Sequence, residues 1–185
     1  MAALAPLSAA CQIIEEKPAA VSNEPVYKYQ AYVGWGYTSL NQVNQSRSGL
    51  QGVEVGATRY WGRFFGVTGY YGSYRWTVTS ANEGNPTVDM YLVGPMVHAP
   101  LYEKWSLYAR GLFGAEHVGN VSIRPSQSFA GGVGVGLEYA MTQRFALRLG
   151  GDDIGSSFTI TPYESGASAH TRWNAHANFG VAYRF

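Results

Sequence analysis

Gly131-Gly132-Val133-Gly134-Val135-Gly136-Leu137-Glu138-Tyr139 is the stretch whose reading decides the fold. Val133, Val135, Leu137 and Tyr139 alternate with Gly132, Gly134, Gly136 and Glu138, so an extended strand puts every apolar side chain on one face. The other face carries only small residues and a charge. The glycines do not form a nucleotide-binding fingerprint, because the alternation stays inside a strand and no helical pattern follows it.

Similar units lie on both sides. Tyr27 to Thr38 places Tyr29, Ala31, Val33, Trp35 and Tyr37 opposite Lys28, Gln30, Tyr32, Gly34 and Gly36. Leu50 to Tyr60 sets Val53, Val55 and Ala57 against Gly52, Glu54, Gly56 and Thr58. Phe65 to Val78 is aromatic throughout (Tyr70, Tyr71, Tyr74, Trp76), and alternation does not fix its register. Val88 to Val97 keeps Met90, Leu92, Gly94 and Met96 in phase. In Trp105 to His117, Leu107, Ala109, Gly111, Phe113 and Ala115 oppose Tyr108, Arg110, Leu112, Gly114 and Glu116. Arg144 to Asp152 sets Phe145, Leu147 and Leu149 against Ala146, Arg148, Gly150 and Asp152. The last unit, Arg172 to Phe185, sets Ala175, Ala177, Phe179, Val181, Tyr183 and Phe185 against Asn174, His176, Asn178, Gly180, Ala182 and Arg184.

Eight strands are therefore expected, and their connections alternate in length. Links at about 39–49, 79–87, 118–127 and 154–171 are long and polar; those at about 61–64, 98–104 and 140–143 are short. Long loops at one end and short turns at the other are the pattern of outer-membrane barrels. The predicted fold class is all-β, an eight-stranded antiparallel up-and-down transmembrane β-barrel.

Composition bears on the same choice. Charged residues are 14% of the 185, against about 25% in ordinary soluble domains. Aromatics reach 15%, hydrophobic residues 46%, and the net charge is +1, which excludes most disorder and a dedicated nucleic-acid binder. No apolar run reaches the roughly 18 residues of a membrane helix. A soluble lipocalin-like carrier also alternates, but its water-facing wall would need many more charges, and the Gly-Xaa-Trp expected early in that family is absent, since Trp35 directly follows Gly34. An eight-stranded lumen has room only for side chains or one small ligand. Glycines among Glu54, Arg110, Glu116, Glu138, Arg148, Asp152 and Arg184 suit that interior. Aromatics near segment ends (Trp35, Tyr37, Tyr60, Trp61, Phe64, Phe65, Tyr102, Trp105, Tyr139, Phe145, Trp173, Tyr183, Phe185) suit interfacial girdles.

Phe179-Gly180-Val181-Ala182-Tyr183-Arg184-Phe185 resembles the closing signature of bacterial outer-membrane barrels, in which Phe179, Val181, Tyr183 and Phe185 would form the barrel-assembly signal. Together with the Gly131–Tyr139 stretch, the turn after it, Arg144 to Arg148 and Asp152, it is similar to the outer-membrane β-barrel family that includes the OmpA transmembrane domain, OmpX and the opacity proteins. That resemblance covers about 27–185. It implies an integral protein of the bacterial outer membrane with both termini periplasmic, contacting lipid, lipopolysaccharide and the barrel-assembly machinery. With no peptidoglycan-binding domain after Phe185, an anchoring role is not implied. The remaining divisions are a residual signal-like segment (1–11) and a flexible lead-in (12–26). Ser8-Ala9-Ala10 fits a cleavage end, and lipidation at Cys11 is the alternative.

The inward charges are the candidate site. Lys28, Glu54, Arg110, Glu116, Glu138, Arg148, Asp152 and Arg184 are expected to pair in the lumen, because an unpaired buried charge is costly. Near balance predicts a closed, ion-paired lumen; a small passive pore is the alternative. A structural or surface-interaction role follows, with external loops displayed to an outside ligand or host surface, Asn41 to Ser48 and Phe158 to His170 first among them. The barrel is expected to be a monomer. Ser168 and His170 near Asp152 and Asp153 allow a hydrolase to be drawn, but no nucleophile elbow accompanies them, so no catalytic residue is assigned. His98, His117, His170 and His176 lack zinc-ligand spacing, and no metal or cofactor is expected.

Overall fold

The computed structural model describes residues 27–41, 47–79, 85–120, 127–158 and 170–185, so the signal-like segment, Cys11, the lead-in and the loop tips lie outside the described residues. Eight strands run β1 (Tyr29–Asn41), β2 (Arg47–Trp61), β3 (Phe65–Thr79), β4 (Thr87–Tyr102), β5 (Trp105–Gly119), β6 (Gln127–Ala140), β7 (Phe145–Phe158) and β8 (His170–Arg184). Each pairs antiparallel with the next, and β1 pairs with β8, closing the barrel. At the seam the N–H of Tyr29 donates to the Phe185 carbonyl, and that of Phe185 to the Tyr29 carbonyl, both at 2.9 Å.

The strands are longer than the alternating units. At about 3.3 Å per residue and a tilt of about 40°, strands of this length rise roughly 33–40 Å, well beyond an apolar band of about 25 Å. Pairing continues past the band, where side-chain alternation no longer has to be apolar. The first long link thus contracts to 42–46 and the last to 159–169, and Asn41, Arg47 and Ser48 are strand residues rather than loop. The turn expected at 98–104 shrinks to Glu103 and Lys104. Glu103 has a positive φ of 42°, and Gly62 in the β2–β3 turn one of 80°, which glycine adopts without a Cβ clash.

Alternation assigns the two faces as expected on β1, β2 and β5 to β8. Val133 is 67% exposed while Glu138 across the wall is 0% exposed. Inside, small residues make room for large ones: a Cβ on Gly134 would strike the Asp152 carboxylate, and one on Gly36 the Glu54 carboxylate. β3 shows why its register could not be read. Tyr74 pairs with Gly52 but Trp76 with Gln51, so Arg75 bulges and the phase inverts. Tyr70 and Tyr74 point inward, and Trp76 goes outside to stack on Trp35 at 5.0 Å.

β4 is reversed in character, since Met90, Leu92 and Met96 are buried inside. Met90 and Leu92 join Leu40, Leu50, Val88, Leu112, Val118 and Ile154, most of them toward the loop end, so the lumen has an apolar tier above its charged one, while Met96 lies lower, beside Thr58 and Tyr60. The outer wall ends in aromatic rings, with Trp105 on Tyr139 (5.0 Å), Phe145 on Tyr183 (5.1 Å) and Tyr29 on Phe185 (5.7 Å) around the turn end. Tyr60 departs from that set by turning its hydroxyl to Gln30. The outer face also carries charge: Arg75 holds Asp89 at 3.0 Å, and Tyr71 and Ser73 donate to the same carboxylate.

Gly150 tests the small-for-large packing, because a Cβ there would collide with the Tyr108 hydroxyl and come within 2.7 Å of Asn178 Oδ1. Replacing Gly150 with Val should cost about 1–3 kcal/mol in urea unfolding of the refolded barrel, whereas Leu149→Val on the outer wall should cost far less.

Candidate functional site

The charged tier has two centres, each set by strand adjacency. Glu138 on β6 faces Arg148 on β7 across the register and accepts a 2.7 Å hydrogen bond from Arg184 Nη2. Gln30 Nε2 donates to both of its oxygens at 3.2 and 3.0 Å, and the Tyr60 hydroxyl donates to Gln30 Oε1 at 3.0 Å. Arg148 Nε lies 3.9 Å from Glu138 Oε1, and His98 Nε2 3.7 Å from Oε2. The Arg148 guanidinium also stands 3.9 Å from the Tyr108 ring centre and 5.0 Å from that of Tyr32. Aromatic faces of this kind stabilise a desolvated cation.

Asp152 on β7 is the second centre. Arg110 on β5 reaches it across Gly134 of the intervening strand and donates from Nε at 2.6 Å and Nη2 at 2.5 Å. Such a two-pronged guanidinium–carboxylate pair is the strong form of the contact. Asn178 Nδ2 adds a third donor at 3.2 Å, and the Arg110 guanidinium lies 5.0 Å from the Tyr70 ring centre. Beside this pair, Tyr74 donates to Glu54 at 2.6 Å, the Tyr70 and Tyr74 hydroxyls are 2.6 Å apart, and His176 Nε2 is 3.1 Å from the Thr38 hydroxyl.

Of the eight residues expected in the network, Arg110, Glu138, Arg148, Asp152 and Arg184 are brought together as ion pairs and Glu54 joins through Tyr74. Lys28 does not belong to it. β1 begins one residue later, and Lys28 is exposed ahead of it although its phase is the inward one. Glu116 is inside the wall at 0% exposure but takes part in none of these ion pairs, so the expected near balance becomes four acids against three arginines among the described buried charges of the lumen, Asp89 being on the outer face. Gln30, His98, His176, Asn178 and the four lumen tyrosines were not assigned as site residues. Gln30, Tyr32, Tyr108, His176 and Asn178 share the phase of the charged positions, which was the available signal.

Phe179 and Phe185 of the expected assembly signal are exposed on the outer wall, with Val181 and Tyr183 part-exposed beside them. The hydrolase grouping is not assembled among the described residues: Ser168 lies outside them, Asp152 is bound to Arg110 in the lumen, and Asp153 is exposed on the opposite face. No group of three or more metal-ligating side chains occurs among the described residues.

By sequence, the chain matches no protein-family profile and no curated relative. By structure it is similar to Neisserial surface protein A, with 13% identity, 85% of this chain and 97% of that chain covered, and a TM-score of 0.64. It is also similar to the outer membrane protein OprG from Pseudomonas aeruginosa (8% identity, 86% and 96% covered, TM-score 0.59). A third is Ail, the attachment invasion locus protein of Yersinia pestis (14% identity, 86% and 100% covered, TM-score 0.53). The closed antiparallel strand order agrees with these likenesses: the chain has the fold of the eight-stranded outer-membrane β-barrels.

Proposed function

We propose that the protein is a monomeric integral barrel of the bacterial outer membrane, with a closed lumen, and that it works by stabilising the membrane and presenting its external loops to an outside ligand or host surface. The observation that carries this reading is the inverted wall, in which Val33, Val133, Leu149 and Phe179 are more than half exposed while Glu54, Arg110, Glu138 and Arg148 are buried. In water that arrangement is unfavourable; with lipid outside it is what the solvent requires. Both termini sit on the short-turn side in this reading, facing the periplasm. Outer-membrane lipid and lipopolysaccharide are the wall's partners, and the barrel-assembly machinery reads the outward Phe179, Val181, Tyr183 and Phe185. No catalytic step and no cofactor is assigned. Support for closure comes from the tie of Arg110 to Asp152 at 2.5 Å across the lumen wall, with the apolar tier above it.

Expressed in bacteria, the chain should fractionate with the outer membrane, migrate differently on gels with and without heating, and be cut by external protease within 159–169 on intact cells. Recovery as a detergent-free soluble protein would overturn the reading. In planar bilayers the purified barrel should be silent; a steady, well-defined conductance would favour the passive pore instead. Breaking the central pair should weaken the fold: Asp152→Asn leaves Arg110 buried without its counter-charge, and urea unfolding should show a loss of about 3–5 kcal/mol. The joint change Arg110→Met with Asp152→Leu should lose much less.

A further inference from the structure

The four buried acids of the lumen do not share the same surroundings. Glu138 meets Arg184 and Asp152 meets Arg110, and the charge of Arg110 also acts on Glu54. Glu116 differs from all three. Among the described residues neither of its oxygens has a hydrogen-bond partner and no basic group acts on it, and the polar group nearest in effect is the Ser156 hydroxyl. Arg110, Arg148 and Arg184 are all engaged with other acids, and Arg172, on the same phase nearer the loop end, donates to Asn41 Oδ1 at 3.5 Å.

What surrounds Glu116 is divided by register. Met90 on β4 and Ser128 on β6 are its cross-strand neighbours. Ser156 is tied to Asn174, whose Nδ2 donates to the Ser156 hydroxyl at 3.3 Å, and Asn174 Oδ1 accepts the Asn41 N–H at 2.8 Å. Val118 and Ile154, both 1% exposed, belong to the apolar tier at this end. A carboxylate is thus set beside the Ser156 hydroxyl inside a largely apolar layer, with Asn174 bonded to Ser156 and with Ser128, whose hydroxyl donates to the Phe129 carbonyl and accepts the Ser157 N–H, on the neighbouring strand. Such a group is tolerated only when its charge is neutralised, by a proton or by a cation. Hydroxyl, amide and carboxylate oxygens are hard donors, suited to hard ions. A single carboxylate is balanced by a single positive charge.

We propose that Glu116, with the side-chain oxygens of Ser128, Ser156 and Asn174, forms a binding site for a small monovalent cation of the sodium class on the inner wall near the loop end. The site does not depend on whether the barrel conducts. It neutralises the lumen acid that has neither an ion pair nor a hydrogen-bond partner among the described residues, and ties β5, β6, β7 and β8 together above the ion-paired tier.

The test uses the refolded full chain in detergent micelles at neutral pH, with sodium chloride compared against tetramethylammonium chloride at equal concentration. Once sodium saturates the site, the folded-to-unfolded ratio in urea should rise roughly tenfold for each tenfold increase in sodium. It should stay flat in tetramethylammonium, whose ion is too large for hydroxyl and carboxylate oxygens to enclose. Glu116→Gln should fold and lose the sodium response. Equal unfolding curves in the two salts, or a sodium response that survives in Glu116→Gln, would overturn the proposal. Should that variant fail to fold, Ser156→Ala with a weakened sodium response in the same assay keeps the site, and an unchanged response rejects it. The Glu116 carboxyl carbon resonance gives a separate readout: a carboxylate shift in sodium supports the site, and a carboxylic-acid shift in sodium rejects it.

Discussion

Backbone polar groups facing hydrocarbon have no water to bond with, and closure of the sheet is the constraint from which the rest of this structure follows. Tyr29 and Phe185 supply it by exchanging hydrogen bonds at one end of the seam, with β1 and β8 in register from Gln30 opposite Arg184 to Ser39 opposite Ala175. A closed ring of eight strands has a narrow interior, and that size selects the side chains within. Glycine stands where a carboxylate or a phenol must lie, as at Gly36 beside Glu54 and Gly150 beside Tyr108.

The polar interior is divided by height. Around Glu138 and Asp152, arginines, an amide from Gln30 or Asn178 and aromatic faces satisfy the charges together. Nearer the loops, leucine, valine, isoleucine and methionine side chains fill the same bore. Paired charges contribute little net stability after their desolvation, but each pair fixes which strands lie side by side. Arg110 and Asp152 belong to β5 and β7, so their contact holds three adjacent strands at a single register.

Much of this was legible in the chain. Strict alternation at Gly132–Tyr139 and again at Ala175–Phe185 identifies a wall with one apolar face, and the structure keeps both readings. β3 was not legible, because one bulged residue, Arg75, inverts the phase between Tyr74 and Trp76 and leaves no trace in a simple alternation count. β4 hid its facing for a different reason: methionines and leucine inside the lumen look like lipid-facing residues until the neighbouring strands are placed. Inward charges could be named from phase alone, yet their partners depend on relative strand heights. That is why Lys28 was grouped with the network and the isolation of Glu116 was not foreseen. Loop tips, where the sequence reading places recognition, are polar and aperiodic, so alternation says nothing about them.

The seam has a further consequence for how the ring comes into being. Seven of the eight strand pairs join neighbours along the chain, while β1 with β8 joins segments at opposite ends of the barrel sequence. The hairpins involve short loop closures and can form early, but the final pairing has a contact order close to the whole length of the barrel and is kinetically the slow event. Until it forms, β1 and β8 are two open sheet edges presenting unpaired amides and carbonyls, the arrangement most prone to join another chain. The Tyr29–Phe185 exchange therefore also marks the moment at which self-association through edges ceases to be available.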